Sequence, residues 1–292
     1  MTVLALALVL ASASLHAAWN LLYKRARDKQ AFAWLFGLAA VVLYLPVFLL
    51  LAGRQPIPPE GWCMVLLSSV IHTFYFAFLG RGYSAGDLST VYPLARGTGP
   101  LLVTVWAVTL LGERPSSFGL GGILAVVGGI YVLHLHEFSW RGLLKPLRSL
   151  QSRPSQLALL TGLLISFYTV VDKVGVSYVQ PLVYMYLWTV LFTLLYGPYV
   201  LRTSGASSLR AEWRTNAPAV VAVGFLMVFA YTLVLFAMTM SNVSYVAAAR
   251  EVGVVFGAVM GTTLLREPYG SAKVGGSLLI ALGVALIGMA HP

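Results

Sequence analysis

The sequence predicts an all-α integral membrane protein with ten transmembrane helices arranged as two inverted five-helix repeats. Three observations carry that prediction. The 292 residues are 59% hydrophobic and only 10% charged, with a mean hydropathy of +0.85, whereas a water-facing shell on a chain of this size takes about 25% charged residues. Apolar runs of about 20 residues, the length that crosses a bilayer core, recur ten times. The stretch ARGTGPLLVTVWAVTLLGERP, from Ala95 to Pro115, returns as AREVGVVFGAVMGTTLLREP, from Ala249 to Pro268. Without a gap, Arg96 falls on Arg250, Glu113 on Glu267 and Gly121-Gly122 on Gly275-Gly276.

The first repeat holds apolar spans at Thr2–Tyr23, Ala31–Ala52, Trp62–Leu79, Leu88–Leu111 and Phe118–Leu135. Lipid supplies no hydrogen-bond partner to the backbone, so spans of this length are expected to be helices. Barrel strands would alternate apolar and polar residues over about 10 positions, but Val3–Ala11 is continuously apolar. Thr2–Tyr23 ends near LHAAWNLLYK and lacks the positive leading region of a signal peptide, so it is read as a helix that stays. The second repeat holds Gln156–Val176, Leu182–Leu201, Ala217–Thr239, Val243–Leu265 and Ser271–Ala290. Its first span carries YTVVDK, an echo of the late lysine in the first repeat. The units are therefore 1–136, a basic connector 137–154, and 155–292.

Five spans per unit is an odd number, so the second unit enters the membrane inverted relative to the first. Fourteen lysines and arginines fall in loops on one side, among them Lys24, Arg25, Arg81, Arg141, Arg210 and Lys273, against Arg54, Arg114 and Lys173 on the other. The positive-inside rule makes the basic side cytoplasmic. The expected localisation is the cell (inner) membrane, multi-pass, with both termini outside. The net charge of +10 lies in these short loops and does not indicate a nucleic-acid partner. One cysteine, Cys63, excludes an internal disulfide.

Arg96 and Arg250 each lie roughly 11–12 Å into a span, entering from opposite faces. An arginine at a helix centre costs about 2.5–3.5 kcal/mol on insertion scales, which implies a wet cavity, a carboxylate partner or an anionic ligand. Each arginine either braces neighbouring helices or contacts substrate. Glu251 cannot face Arg250 on the same helix. It is expected to pair across to another helix, with Arg96 one candidate, and it is the candidate for carrying a coupling proton. Pro93 and Pro100 each remove a backbone donor from the fourth span. With Gly97 and Gly99 beside Pro100, that helix is expected to deform next to Arg96. Gly253, Gly257 and Gly261 form a stripe on which another helix can pack. Glu113 and Glu267 are expected to favour the positive ends of the helices that follow them.

Ser12, His16, Asn20 and Lys24 share one face of the first helix; Thr169, Asp172 and Lys173 lie in the sixth span. His16, Asn20, His72, Tyr75 and Tyr92 join the two arginines as candidate substrate-binding residues. Lys24 and Lys173 are expected to reach the interface. No catalytic residue, metal site or cofactor is expected: His134 and His136 lack companion ligands, and no phosphate-binding lysine loop occurs.

HAAWNLLYK in the first span, LLGERP and LLREP at the repeat ends, and the duplicated ten-span plan resemble the EamA family of the drug/metabolite transporter superfamily. The resemblance covers the whole chain. It implies a non-enzymatic secondary transporter that moves small metabolites such as amino acids, often outward, through a cavity between the halves. YPLARGTGP is also similar to a branch associated with phosphonate use. The small multidrug exporters of that superfamily rely on a glutamate in their first helix, which this chain lacks. With arginines as the interior cations, an anionic or zwitterionic solute is expected instead. Its partners are then the lipid bilayer, the small solute and a proton as candidate coupling ion. The alternative is a membrane-embedded enzyme or assembly factor; substrate identity, direction and oligomeric state stay open at this point.

Overall fold

The apolar runs fold as helices. The computed structural model describes residues 1–54, 56–85, 88–133, 152–265 and 271–290, and no strand occurs among them. The helices are α1 (Val3–Lys24), α2 (Lys29–Ala52), α3 (Pro59–Ala85), α4 (Leu88–Leu110), α5 (Ser117–Leu133), α6 (Arg153–Tyr178), α7 (Pro181–Thr203), α8 (Gly205–Met240), α9 (Val243–Ala249), α10 (Val252–Leu265) and α11 (Ser271–Met289). Eight helical segments among the described residues are long and apolar enough to cross a membrane, with Val243–Met260 counted as one of them. α5 is apolar but shorter, at 17 residues. Residues 134–151, which include His134, His136 and most of the connector, lie outside the described residues, as does Glu267.

Large apolar side chains face outward. Val42 and Leu50 on α2 are each 71% exposed, as suits a surface solvated by lipid rather than water. Short polar caps start the helices where the chain re-enters the apolar layer. Asp28 accepts from the N–H groups of Gln30 and Ala31, each at 3.0 Å, at the head of α2. Gln180 accepts from Leu182 and Val183, each at 2.9 Å, at the head of α7. Each side chain satisfies donors that have no partner within their own helix.

Two elements differ from the sequence reading. The eighth span is expected to begin at Ala217, yet α8 begins at Gly205 and runs for 36 residues. It bends at Asn216 (φ −126°, ψ 16°), two residues before Pro218. The loop carrying Arg210 and Arg214 is thus an extra helical segment with both arginines exposed. That segment is anchored by buried Glu212, which accepts from the Asp28 N–H at 3.2 Å and from Asn216 Nδ2 at 2.5 Å. The second difference is the place of the helix break. α4 runs unbroken from Leu88 to Leu110, straight through Pro100. The break falls in its repeat partner, where Arg250 and Glu251 form a turn between α9 and α10.

Helix pairing repeats when the halves are exchanged. α3 packs on α6 as α8 packs on α1, and α4 packs on α6 as α9 and α10 pack on α1. The equivalent helices α5 and α11 pack on each other. Their glycines touch in two matching places: a Cβ on Gly122 would lie 2.7 Å from the carbonyl of Gly283, and one on Gly129 would lie 2.8 Å from that of Gly276. Residue numbers rise along one helix as they fall along the other, so α5 and α11 run antiparallel. Reversal of equivalent helices is what an inverted duplication requires.

Glu113 shows why a carboxylate stands at a repeat end. It does not serve the helix that follows it. It reaches into the other half, where its oxygens accept from Val243 N–H (2.5 Å), Ser244 N–H (3.2 Å) and Ser244 Oγ (2.6 Å) at the head of α9. Glu113→Ala is therefore expected to cost about 1–2 kcal/mol, the upper range for loss of a helix cap. Arg114→Ala, on the exposed neighbour, is expected to stay within about 0.5 kcal/mol. Unfolding in mixed micelles measures both.

Candidate functional site

The polar side chains that the apolar helices carry inward gather around the α9–α10 break. Arg96 and Arg250 are each 7% exposed and Glu251 is 2% exposed. The break tightens the backbone: the N–H groups of Glu251, Gly253 and Val254 bond three residues back rather than four, to Ala248, Arg250 and Glu251. Consecutive residues on a regular helix point about 100° apart, and this turn sends Arg250 and Glu251 to different partners.

Arg96, on α4, lies across the half boundary from Glu251, with Nε 3.4 Å from Oε2. This contact is an ion pair rather than an aligned hydrogen bond. The same guanidinium meets His16 Nε2, on α1, at 3.0 Å. Arginine has only donors, so His16 accepts and its own proton sits on Nδ1. Arg96 thus ties α1, α4 and the α9–α10 corner together. Asn20 turns back along α1 and donates from Nδ2 to the His16 carbonyl at 2.8 Å.

Arg250 is placed differently. Its Nη2 is 3.4 Å from the Tyr168 hydroxyl on α6, and its guanidinium carbon stands 5.6 Å from the centre of the Tyr231 ring on α8. Its buried Nε has no hydrogen-bond partner. Among the described residues no carboxylate lies within 4 Å of Arg250, so its charge is met by phenols and a π face.

Behind Tyr231 lies a group that the sequence reading placed on the sixth span without a role. Asp172 is fully buried. Its Oδ2 accepts from Tyr231 at 2.6 Å, and its Oδ1 accepts from Tyr184 at 2.8 Å and Ser68 at 2.5 Å. His72 stands beside Ser68, stacked between Trp188 (4.0 Å, 17°) and Tyr168 (4.2 Å, 29°). Its Nδ1 lies 2.9 Å from the Ser68 carbonyl, which can only accept, and 3.2 Å from Ser68 Oγ. In this arrangement Nδ1 therefore carries the ring proton. Tyr75 packs edge-on against Tyr168 at 5.5 Å.

The structure therefore gathers Arg96, Glu251, His16 and Asn20 on one side, and Arg250, His72 and Tyr75 on the other. Gly97 and Gly99 lie in unbroken α4, where Gly99 sits against Ile165 of α6. Tyr92 lies in α4, with its side chain outside the described residues. Lys173 donates from Nζ to the carbonyls of Met238 (2.5 Å) and Ser241 (3.0 Å) at the end of α8, where a cation complements the helix terminus. Tyr168, Asp172, Tyr184 and Tyr231 are the members that sequence reasoning left out of the site. Among the described residues no group of three or more His, Cys, Asp or Glu side chains is placed to hold a metal ion.

Comparison with known proteins places this arrangement. A model of the EamA-like transporter family matches residues 3–135 and 154–289, one match per repeat. A solved structure titled "Crystal structure of protein" is similar with a TM-score of 0.70 and 17% identity, covering 97% of this chain and 94% of that one. At that identity the likeness shows the fold alone. A search of curated proteins finds no match.

Proposed function

The chain belongs to the EamA-like transporter family, and from that premise we propose a secondary transporter that binds a small anionic or zwitterionic metabolite at Arg250 and works by alternating access. The observation that carries this reading is the asymmetry between the two arginines. Arg96 has a carboxylate partner and braces three elements. Arg250 stands at the break between two half-helices with a buried Nε that has no acceptor. Broken helices inside a bundle are where transporters of this kind hold polar solutes. A carboxylate, phosphate or phosphonate supplies the planar or tetrahedral acceptors that a guanidinium matches best. Burial of Arg250 supports alternating access, because a solute reaches it only when packed helices part. Gly97, Gly99 and Pro100 are the points on α4 suited to absorb such a movement. In this reading ten helices cross the inner membrane with both termini outside, following the loop charges. A reporter joined after Pro292 is expected to lie outside the cytoplasm; a cytoplasmic signal overturns the orientation.

The function is tested by counterflow in proteoliposomes. The panel is L-glutamate, succinate, inorganic phosphate, methylphosphonate and L-alanine. Wild-type protein is expected to exchange at least one of them. Arg250→Ala is expected to lower that exchange by 10- to 100-fold, the loss of about 1.5–3 kcal/mol of charge-assisted hydrogen bonding. Arg250→Lys, which keeps the charge but not the planar fork, is expected to fall between. Unchanged exchange by folded Arg250→Ala rejects the direct contact. The resemblance noted above implies export; direction is set by the coupling ion.

A further inference from the structure

We infer that Asp172 takes up the coupling proton when an anion occupies Arg250, with Ser68 and His72 as the relay and Tyr231 as the link between the two sites. This rests on the transporter reading above. The geometry makes one connected line. His72 Nδ1 is 3.2 Å from Ser68 Oγ, Ser68 Oγ donates to Asp172 Oδ1 at 2.5 Å, and Asp172 Oδ2 accepts from Tyr231 at 2.6 Å. The Tyr231 ring lies under the Arg250 guanidinium. One aromatic side chain thus touches both the candidate anion site and the buried acid.

Charge balance gives the line its purpose. The described cluster holds two guanidiniums, Arg96 and Arg250, and two carboxylates, Glu251 and Asp172. Three hydroxyl donors on Asp172 are the partners of an ionised carboxylate. An anion arriving at Arg250 leaves the cluster with one surplus negative charge in a medium where an unpaired charge is costly. One proton restores neutrality. Glu251 is held by its direct ion pair with Arg96, so the surplus falls on Asp172. The groups facing Asp172 are Ser68 and His72 from α3, Tyr184 from α7, Tyr231 from α8 and Arg250 from the α9–α10 corner. On its own helix, Lys173 is turned away to the end of α8. Among the described residues His72 is the one imidazole in line.

The step takes one proton from bulk water, the coupling proton, and no other reactant. His72 receives a proton on Nε2 and releases the one on Nδ1 to Ser68 Oγ. Ser68 passes its own hydroxyl proton to Asp172 Oδ1. His72 is left neutral as the other tautomer, and Asp172 is left as the neutral acid. Proton and anion then cross together, so an inward proton gradient drives uptake, the reverse of the export implied by the family resemblance. A zwitterion brings no surplus charge and needs no proton.

Two measurements test this. In lipid, infrared titration of the wild-type protein is expected to show a protonated-carboxyl band that grows as the buffer is acidified. The band should be absent from Asp172→Asn and kept in Glu251→Gln. Tyr231→Phe preserves the ring under Arg250 and is expected to move the pH at which the band appears. A band that persists in Asp172→Asn overturns the proposal. In proteoliposomes, an inside-alkaline gradient of one pH unit is expected to accumulate a monovalent anion of the panel up to about tenfold, the limit for one proton per solute. Asp172→Asn should lose that accumulation, and whatever counterflow it retains should no longer vary with pH. Accumulation equal to wild type overturns the coupling. If no panel member moves in wild-type protein, the proposed substrate class fails, and the infrared titration still decides the role of Asp172.

Discussion

Arg96→Ala is expected to destabilise the protein by about 3–5 kcal/mol, because it leaves Glu251 as a buried charge with its ion-pair partner gone. The magnitude comes from the carboxylate that stays behind more than from the lost pair. Glu251 is 2% exposed, Oε2 has no hydrogen-bond donor, and Arg96 Nε is the nearest opposite charge at 3.4 Å. His16 loses the donor on its Nε2 in the same stroke. Adding Glu251→Gln removes the stranded charge, so the double variant should recover about 1–3 kcal/mol relative to additivity, the coupling range for residues in direct contact. Reversible unfolding in mixed micelles gives all four corners of the cycle. Additive effects would mean that Glu251 draws its compensation from elsewhere, and would remove the argument that reserves Asp172 for the proton.

That contrast between the arginines was partly legible in the repeat. Register alone places Arg96 opposite Arg250 and marks Glu251, opposite Gly97, as the difference between halves. Spacing on a helix excludes Glu251 from facing Arg250, which leaves a cross-helix partner. Local chemistry misplaced the helix break. Pro100 withdraws one backbone donor, yet α4 continues because the rest of its ladder and the packing on α6 and α5 hold it. α9 and α10 separate without a proline, at the residues that must turn two adjacent charges toward different neighbours. Tertiary demand outweighed propensity there.

Asp172 was legible only as a charge in an apolar span. Its surroundings come from Ser68, Tyr184 and Tyr231 on three other helices, and no periodicity in one chain reports which hydroxyls converge. The partners of the lysine beside it were hidden for the same reason. Lys173 finds its partners in the open carbonyls at the end of α8. Glu113 likewise stands before α5 in sequence and caps α9 in space. In each case the residue type announced a need, and the partner was set by helix packing.

Adjacent glycines in the repeat should respond in opposite directions to the same substitution. Gly276 faces α5 so closely that a Cβ would lie 2.4 Å from the backbone nitrogen of Leu133 and 2.6 Å from its Cα. Backbone cannot rotate away as a side-chain tip can, so Gly276→Ala is expected to cost about 1–3 kcal/mol by overpacking, and Gly276→Leu more. At Gly275 a Cβ would meet a single side-chain atom, Val132 Cγ1 at 3.9 Å. Gly275→Ala should therefore stabilise the helix by about 0.5–1 kcal/mol, the ordinary gain of alanine over glycine. The first half offers the same experiment in mirror. Gly122→Ala meets the Gly283 carbonyl at 2.7 Å, while Gly121 has no neighbour within 4 Å. Equal effects at both members of a pair would mean that the antiparallel α5–α11 contact is not the seam between the halves. The expected sign change, read in the same micelle unfolding series, assigns the seam to Gly122, Gly129, Gly276 and Gly283, where small residues let backbones approach without a hydrophobic drive.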